Sequence, residues 1–388
     1  MEHHPMTRLI RKRIAQTDEG EHSSPLFLTS SFTFDTSEEM RAAFAEEIDT
    51  NIYSRFSNPN SQELVDRMCI LEGTEDGFAT ASGMSAIFST FMTLMKQGDH
   101  LLCCNAIFGS THTVVTKFLP KFGIEYTYVP VNDLQTWEAA IRPNTKMIFL
   151  ETPTNPGLDI IDLEMVNRLA KKHGIILVVD NCFATPLGQR PIEFGADIII
   201  HSATKWLDGQ GRTLGGVVLG KSEFIYNIYL FCRSTGPALS PFNAWILSKS
   251  LETLEVRMQR HVENAFYLSQ KLEGHKKIAW LKYPFLPSHP QYEVAKKQMK
   301  DGGGLFCFEL KEGLEGGRKF LDRLQILSRT ANLGDTRTIA SHPASTTHAK
   351  LSNEERLNVG ITPGMIRISA GLENKDDILS DILQALDQ

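Results

Sequence analysis

Short apolar runs alternate with helical patterns between residues 58 and 241, and this rhythm limits the possible folds more than any other feature of the chain. The run 175–179 has no polar alternation, as expected for a strand that is buried on both faces. The repeated order of strand, helix and strand favours a mainly parallel sheet flanked by helices, which is the α/β class. The predicted strands cover residues 101–104, 124–129, 147–150, 175–179 and 198–200, and the helices between them cover 110–119, 134–141 and 163–173.

The pattern changes on both sides of this region, which predicts three parts. Residues 1–58 are polar and weakly periodic, so we expect an N-terminal arm. Residues 59–241 form the predicted main domain, which opens with a helix that Asn58 can cap and Pro59 can begin. Residues 242–388 are predicted as a smaller α+β domain. Its elements are a long helix over 242–272, a strand at 305–310, and helices near 317–324 and 375–386.

Charge and hydropathy exclude several classes of partner. The chain has 388 residues and a formal net charge of -6, so no strong basic field is present to attract nucleic acid. The first ten residues lack the apolar core of a signal peptide. The longest purely aliphatic run, 175–179, is far too short to cross a bilayer. We therefore expect a soluble, cytoplasmic protein without a membrane or nucleic-acid partner.

The six cysteines are scattered along the chain and form no C-x-x-C pair. No histidine cluster accompanies them at the spacing of a zinc site. Scattered cysteines in a long chain without a signal peptide are typical of reduced, mostly buried thiols. We expect no metal site.

Lys205 is the first candidate for catalysis. An apolar strand, 198–200, leads into a segment in which Ser202 and Thr204 precede the lysine. An amine can form an imine with an aldehyde cofactor and then act as a general base, while the two hydroxyls can donate to a phosphate. The motif is short, and a surface lysine after a strand is the alternative explanation.

Asp180 ends the strand predicted at 175–179, and Asn181 follows it. In an open α/β sheet, ligands bind beyond the carboxyl ends of the strands. An aspartate at this position can pair with a protonated pyridine nitrogen and strengthen the ring as an electron sink. A helix cap or loop cap is the alternative role.

Four further segments lie where a flat, phosphorylated cofactor could be held. Gly83 and Met84 lie between a strand-like segment, 78–80, and a helix predicted to end near Gly98, and amides at a helix N-terminus bind anions. A plain strand-to-helix turn would look similar. Tyrosine and arginine donate to phosphates, an aromatic ring can cover a flat ring, and an asparagine lies at the sheet edge. The corresponding residues are Tyr53 and Arg55 in the arm, Phe108 after the strand at 101–104, and Asn155 after the strand at 147–150.

Together these motifs resemble the Cys/Met-metabolism pyridoxal-phosphate enzymes, a family that includes cystathionine γ-synthase, cystathionine lyases, methionine γ-lyase and homoserine-ester sulfhydrylases. The resemblance runs in order over residues 25–375. It implies the aspartate-aminotransferase-like α/β fold, called fold type I, with pyridoxal 5'-phosphate bound by residues 59–241. The matching motifs are Tyr53-Ser54-Arg55, Asn58-Pro59, Ser82-Gly83-Met84, Glu151-x-Pro153-x-Asn155-Pro156, Asp180-Asn181, Ser202-Ala203-Thr204-Lys205, Leu254-x-x-Arg257-Met258 and Arg367-Ile368-Ser369-x-Gly371-Leu372-Glu373.

The resemblance also implies a role for each residue. Lys205 matches the lysine that carries the cofactor as a Schiff base, Asp180 matches the partner of the pyridinium, and Phe108 matches the stacking ring. The implied phosphate ligands are Gly83, Met84, Ser202 and Thr204, with Tyr53 and Arg55 reaching the phosphate of a neighbouring subunit. The implied substrate ligands are Arg367, which grips the carboxylate, Asn155, and the backbone near Asn332. Shared sites require at least a dimer, and the family is commonly a homotetramer built as a dimer of dimers.

Three departures from the lyase and cystathionine-synthase patterns narrow the implied reaction. Phe108 stands where many members have tyrosine, so a phenol cannot transfer protons there. Asp335 stands in a segment where cystathionine-handling members usually carry glutamate, and Ser110 stands where methionine γ-lyases tend to show cysteine. The chain resembles most the O-succinylhomoserine sulfhydrylases. The implied reaction is γ-replacement on an O-acylhomoserine, succinyl preferred and acetyl possible, with sulfide, giving homocysteine for methionine biosynthesis.

Alternative functions remain open at this point. Cystathionine γ-synthase or a γ-lyase of the same family would use the same cofactor site. A non-catalytic scaffold relative is disfavoured by the intact Lys205, Asp180 and Arg367. A nucleotide-binding protein is disfavoured because the glycine-rich segment 209–215 has a displaced third glycine and no strand immediately before it.

Overall fold

The computed structural model describes residues 3–131, 133–347, 349–350 and 352–387. A seven-stranded sheet forms the centre of the larger part, in the order β1-β7-β6-β5-β4-β2-β3. Strand β7 is antiparallel to β6 and to β1, and the other pairs are parallel. The strands are β1 (Asp76–Thr80), β2 (His100–Cys104), β3 (Glu125–Val129), β4 (Thr145–Glu151), β5 (Ile176–Asp180), β6 (Ile198–Ser202) and β7 (Gly216–Gly220).

Helices pack on this sheet, which confirms the predicted α/β class. Helix α3 begins where the sequence predicts it, because the Asn58 side chain accepts from the amide of Asn60, and it ends at Gly73 in a left-handed conformation. The helices of this part are α1 (Pro5–Arg11), α2 (Ser37–Phe44), α3 (Pro59–Glu72), α4 (Gly83–Leu94), α5 (Gly109–Thr113), α6 (Leu134–Ala139), α7 (Leu163–His173), α8 (Thr185–Gly188), α9 (Ser222–Thr235) and α10 (Pro241–Leu251).

A smaller part carries a five-stranded sheet in the order β10-β11-β12-β9-β8. Its apolar face is covered by helices, and Phe306, Phe308 and Ile368 are completely buried between them. The elements are α11 (Leu254–Leu272), β8 (Ile278–Lys282), α12 (Tyr292–Gln298), β9 (Leu305–Leu310), α13 (Gly313–Arg323), β10 (Ser328–Arg329), β11 (Ile339–Ser341), α14 (Asn353–Asn358), β12 (Met365–Ser369) and α15 (Lys375–Asp387).

Several predicted helices have different bounds. The predicted helix 110–119 is only α5, and a π turn over 114–118 and a 3-10 turn over 119–122 follow it. The proline at 120 has no amide hydrogen to continue an α-helix. Helix α4 ends at Leu94, and Gly98 adopts its positive φ of 89° in the turn before β2 instead. The predicted helix 242–272 is divided into α10 and α11.

The N-terminal segment is partly packed on the main domain. Its first helix, α1, places Met6 and Leu9 in the same buried apolar cluster as Leu64 and Met68 of α3. Farther along, the arm is exposed at Leu28 and Met40. None of the helices in the described parts of the chain is both long and apolar enough to span a membrane.

The topology brings the chemistry-bearing residues to one edge of the large sheet. The carboxyl ends of β4, β5 and β6 meet there because these strands are parallel neighbours. Helix α4 starts at the same edge, where Gly83 lies against Ser202 at the end of β6. Strand β12 of the small sheet faces this edge and contributes Arg367.

Candidate active site

A cavity of about 250 Å³ lies at this edge of the large sheet. It is lined by residues of both sheets and of the loops that follow the strands. Nine of the residues singled out in the sequence line it: Gly83, Met84, Phe108, Asn155, Asp180, Ser202, Thr204, Lys205 and Arg367.

Lys205 follows β6 in a tight turn, in which its amide donates to the carbonyl of Ser202 at 3.2 Å. Its Nζ atom donates to Oδ1 of Asn332 at 2.6 Å. Burial lowers the pKa of the Lys205 amine, and the positive charge of Arg367 lowers it further. The lysine is therefore held in one position and gives up its proton more readily than a lysine in water.

Asp180 is the last residue of β5, and its neighbour across the sheet is Glu151, the last residue of β4. Each carboxylate accepts one backbone hydrogen bond. Asp180 Oδ1 accepts from the amide of Cys182 at 2.9 Å, and Glu151 Oε1 accepts from the amide of Phe108 at 2.8 Å. Burial raises the pKa of both carboxyl groups, and the charge of Asp180 raises that of Glu151 further.

Arg367 lies in the middle of β12, and only 6% of its surface is exposed. One terminal nitrogen donates to Oδ1 of Asn155 at 2.8 Å, and the other donates to the carbonyl of Asn332 at 3.3 Å. These two acceptors fix the guanidinium plane at the cavity. A fixed guanidinium with unused N–H groups is suited to bind a carboxylate with two parallel hydrogen bonds.

The amino end of α4 forms another wall of the cavity. The Ser82 hydroxyl caps the helix by accepting from the amide of Ser85 at 3.1 Å. The first amides of a helix have no partner within the helix, so those of Gly83 and Met84 are available to an anion. A Cβ atom on Gly83 would lie 2.8 Å from Cβ of Ser202, so glycine is required for this close approach.

Tyr53 and Arg55 lie outside the cavity that contains Lys205. They line a separate surface cleft beside α2, and 40% of the Tyr53 surface is exposed. The Arg55 guanidinium lies over two rings, 5.4 Å from the centre of Tyr53 and 4.9 Å from that of Phe56. One chain by itself does not bring these two residues to Lys205.

Asp335 does not line the cavity either. Its carboxylate is buried and accepts from Nε of Arg337 at 2.8 Å and from the amide of the same residue at 3.0 Å. A Cβ atom on Gly211 would come within 2.5 Å of Asp335 Oδ2, so the carboxylate is packed against this glycine. Asp335 therefore orders the loop beside the site.

Several residues line the cavity although no pattern in the sequence indicated that they would. Glu151 was part of a recognised motif, but nothing in the motif indicated that it faces Asp180. Cys182 and Phe183 follow Asp180 into the cavity, and Leu214 lies at its mouth. Ile87 of α4 also lines it, and the small domain contributes Ala331, Leu333, Ser341, Pro343 and Thr347.

Comparison with known families identifies the group to which this site belongs. The family model for Cys/Met metabolism PLP-dependent enzymes matches residues 6–387. The chain belongs to this family.

Two curated relatives of this PLP family cover nearly the whole chain. An O-succinylhomoserine sulfhydrylase from Pseudomonas aeruginosa is 45% identical over 380 residues, which are 98% of this chain and 94% of the relative. An L-methionine gamma-lyase from Porphyromonas gingivalis is 41% identical over 384 residues, 98% of this chain and 96% of the relative. The family is shared, but the reactions named for these relatives differ.

Solved structures of the PLP family show the same fold. A candidate O-acetylhomoserine (thiol)-lyase from Campylobacter jejuni, described with N'-pyridoxyl-lysine-5'-monophosphate at its position 205, has a TM-score of 0.95 at 35% identity and covers 99% of this chain. All of that chain is covered in turn. Cystathionine gamma synthase from Xanthomonas oryzae, in complex with aminoacrylate and cysteine, has a TM-score of 0.94 at 31% identity, covering 100% of this chain and 98% of that one.

The cofactor of this PLP enzyme is pyridoxal phosphate, and the cavity suits it. A buried amine at Lys205 suits the aldehyde, a carboxylate without a cationic partner at Asp180 suits a pyridinium, and the start of α4 suits a phosphate. The three groups face a single cavity. The described residues contain no group of three or more His, Cys, Asp or Glu side chains that could hold a metal ion.

Proposed function

We propose that the enzyme catalyses γ-replacement on an O-acylhomoserine with sulfide as the nucleophile, giving homocysteine. The observation that carries this proposal is the distribution of positive charge in the cavity. Among the described residues that line it, Lys205 and Arg367 are the cationic side chains. Lys205 is committed to the cofactor, so the chain offers one cation for one substrate carboxylate.

Arg367 is proposed to bind the α-carboxylate of the acylhomoserine, with its guanidinium already oriented by Asn155 and Asn332. When bound, pyridoxal phosphate supplies an electron sink for charge that develops on the α-carbon. Lys205 Nζ takes the α-proton and carries it, because its lowered pKa leaves more of the amine unprotonated near neutral pH. The Asn332 side chain directs that nitrogen.

Sulfide fits this arrangement better than cysteine does. Sulfide is small and largely ionised near neutral pH, so it needs little recognition or deprotonation. Cysteine carries a second carboxylate and an ammonium group, and a buried carboxylate without a partner is costly. With Arg367 engaged by the acylhomoserine, the described lining of the cavity has no further free cation for that carboxylate.

Succinyl is the proposed acyl group, ahead of acetyl. Its support is the similarity to O-succinylhomoserine sulfhydrylases from Pseudomonas aeruginosa at 45% identity and Mycobacterium tuberculosis at 41% identity. The same charge argument favours acetyl, since the distal carboxylate of the succinyl group has no second cation within the described lining of this chain. The choice of succinyl rests on the similarity alone.

Methionine γ-lyase is the second candidate, favoured by relatives with that name at 41% and 44% identity. Phe108 weighs against it, because it lacks the phenol that many family members have at this position. Ser110 also weighs against it, since methionine γ-lyases tend to show a cysteine there. Cystathionine γ-synthase is disfavoured by the argument against a second amino-acid substrate.

We further propose that the active site is shared between subunits of a homotetramer built as a dimer of dimers. The support is that Tyr53 and Arg55 lie on the surface, away from the cavity of their own chain. The exposed apolar residues of the arm, Leu28 and Met40, suit contact with another copy.

A substrate panel tests the proposed reaction. Acetyl-, succinyl- and phosphohomoserine are each supplied with sulfide or with cysteine, and methionine and cystathionine are supplied alone. The expected product is homocysteine from acylhomoserine and sulfide, with little keto acid from methionine or cystathionine. Faster elimination from methionine than replacement on any acylhomoserine would establish the lyase instead.

A further inference from the structure

Glu151 is a buried acid in the cavity for which the proposed reaction has no use. It lines the cavity together with Asp180, and only 5% of its surface is exposed. The two residues are paired in register at the ends of neighbouring parallel strands. Neighbouring strands are about 4.8 Å apart, and residues in register point to the same side, so the two carboxyl groups lie side by side.

Neither of these carboxyl groups is neutralised by a cation. In the described residues, each accepts one backbone hydrogen bond, from Phe108 or Cys182, and forms no salt bridge. Two adjacent buried carboxyl groups without a cation do not both remain ionised, because burial and the like charge both favour a proton on one of them. The pair must therefore carry a proton.

The surrounding titratable groups do not neutralise the pair. Burial raises the pKa of the three neighbouring thiols, so they are uncharged near neutral pH, and they belong to Cys103, Cys104 and Cys182. His201 is bonded to Glu72 at 2.6 Å, and its influence is to favour the ionised form of Asp180. Lys205 and Arg367 line the same cavity, but their bonds run to Asn332 and Asn155.

Only Asp180 has a cationic partner when the cofactor is bound, and this decides which of the two acids holds the proton. Asp180 is the partner for a positively charged ring nitrogen, which stabilises its ionised form when the cofactor is bound. Glu151 has no such partner, and the ionised Asp180 beside it opposes a second negative charge.

We propose that Glu151 is a positioning residue that works as a neutral carboxylic acid: one oxygen holds the backbone of Phe108, and the uncharged group leaves Asp180 as the single anion facing the ring nitrogen. Phe108 is the first residue of the turn into α5, and no side chain caps that helix. The bond from the Phe108 amide to Glu151 therefore fixes the start of this turn, and with it the ring that would stack on the cofactor. The inference rests on pyridoxal phosphate occupying the cavity and not on which acylhomoserine reaction follows.

Three variants of the holoenzyme distinguish a requirement for the hydrogen bond to Phe108 from a requirement for a charge on Glu151. Glu151→Gln keeps the length and an acceptor for the Phe108 amide but cannot ionise. Glu151→Asp keeps the acid but is one methylene shorter. Glu151→Ala removes both the acid and the acceptor for the Phe108 amide. The control is Glu309→Gln, since Glu309 is a half-buried acid with a pKa raised by burial that accepts from the Gly364 amide at 2.9 Å in the small domain.

The measurements are the dissociation constant of pyridoxal phosphate and the pH titration of the visible absorption band of the bound cofactor. We expect Glu151→Gln to match the wild type in both. We expect Glu151→Ala and Glu151→Asp to weaken cofactor retention roughly tenfold, because each leaves the Phe108 amide without its acceptor. Glu309→Gln should change neither quantity.

A different pattern would overturn the inference. If Glu151 is ionised in the holoenzyme, Glu151→Gln removes a negative charge near the ring nitrogen and lowers the apparent pKa of the visible band by about one unit or more. If Glu151→Asp retains the cofactor and Glu151→Gln does not, the charge and not the hydrogen bond is required. Wild-type retention in both Glu151→Ala and Glu151→Asp would exclude a positioning role. If Glu151→Ala does not fold, the Asp and Gln variants decide the result.

Discussion

Asn332 joins the two cationic residues of the active site. Its side-chain oxygen accepts from Lys205, and its backbone carbonyl accepts from Arg367. The residue lies in a loop of the small domain, so it connects the proposed proton carrier with the proposed carboxylate clamp across the boundary between the two sheets. A substitution of the side chain removes only the first of these bonds.

Asn332→Ala should therefore lower kcat more than it raises KM. The Arg367 clamp keeps its carbonyl partner, while the Lys205 amine loses the acceptor that directs it. We expect kcat/KM for the acylhomoserine to fall about tenfold. Asn227→Ala on the exposed face of α9, where the side-chain amide donates to the carbonyl of Glu223, is the control. A loss confined to KM would contradict a role in directing Lys205.

Asp180→Asn should have opposite effects with and without the cofactor. Because the folded protein raises the pKa of Asp180, the acid favours folding below its unfolded pKa of about 3.9, and this contribution is lost as pH rises through the folded pKa. In cofactor-free protein, Asp180→Asn should raise the unfolding midpoint at pH 8 and change it less at pH 4. In the holoenzyme the same substitution should weaken cofactor binding.

Thermal unfolding at both pH values, with and without pyridoxal phosphate, checks this prediction. Asp197→Asn is a suitable control, since its carboxylate accepts from the Leu177 amide at the opposite end of the strands. A midpoint of the cofactor-free variant that is lower than wild type at pH 8 would show that Asp180 does not carry an unfavourable buried charge.

For single residues, the sequence predicts which side chains lie at the end of a strand better than it predicts which side chains lie next to each other on neighbouring strands. Lys205 and Asp180 could be placed at one sheet edge because parallel strands end on the same side. The position of Glu151 beside Asp180 depends on the register of β4 and β5. A one-residue shift of that register would place the Glu151 side chain on the other face of the sheet. The apolar composition of both strands does not specify that register.

Among the elements, the amino end of α4 has little tolerance for a larger side chain. Gly83→Ala would place a Cβ atom 2.9 Å from the Cα of Ser202, which is backbone and cannot rotate away. We expect the variant to lose about 1–3 kcal/mol of folding free energy and to bind the cofactor less tightly, because the helix must move away from β6. Gly188→Ala is the control, since the nearest atom to its new Cβ would be 3.4 Å away. Equal stability of the two variants by denaturant unfolding would contradict the close approach.

The division of predicted helices has local causes that periodicity alone does not show. The segments 110–119 and 242–272 both have helical spacing of apolar residues, yet each contains an interruption. In the first, the turn type changes before a proline. In the second, the chain leaves helical geometry at Thr253, where φ is -113° and ψ is 9°, and the Arg257 guanidinium bonds to the carbonyl of Ser250 across the break.

The complete site depends on how the small sheet packs against the large one. Strand β12 brings Arg367 to the cavity from more than a hundred residues beyond Lys205, and no local pattern in the sequence indicates that approach. The motif containing Arg367 was informative only through its resemblance to a family. The same is true of Tyr53 and Arg55, which lie away from the cavity of their own chain.

Subunit complementation tests this sharing. Arg55→Ala and Lys205→Ala proteins should each be inactive or nearly so. After mixing in equal amounts and proven subunit exchange, about half of the dimers are hybrids, and each hybrid contains one site with both wild-type residues. The mixture should therefore recover about a quarter of wild-type activity. A mixture of Lys205→Ala with Arg260→Ala, a surface arginine of α11, should show no more activity than its Arg260→Ala subunits supply. No recovery in the first mixture would argue that each chain completes its own site.

Competition between sulfide and cysteine for the same acylhomoserine is the decisive test of the proposed reaction, with kcat/KM for each nucleophile as the measure. The single free cation in the described cavity lining, Arg367, predicts that sulfide is the better nucleophile and that homocysteine is the main product. If cysteine were preferred by about tenfold, equivalent to about 1.4 kcal/mol at the transition state, the sulfhydrylase assignment would be wrong and cystathionine γ-synthase would replace it.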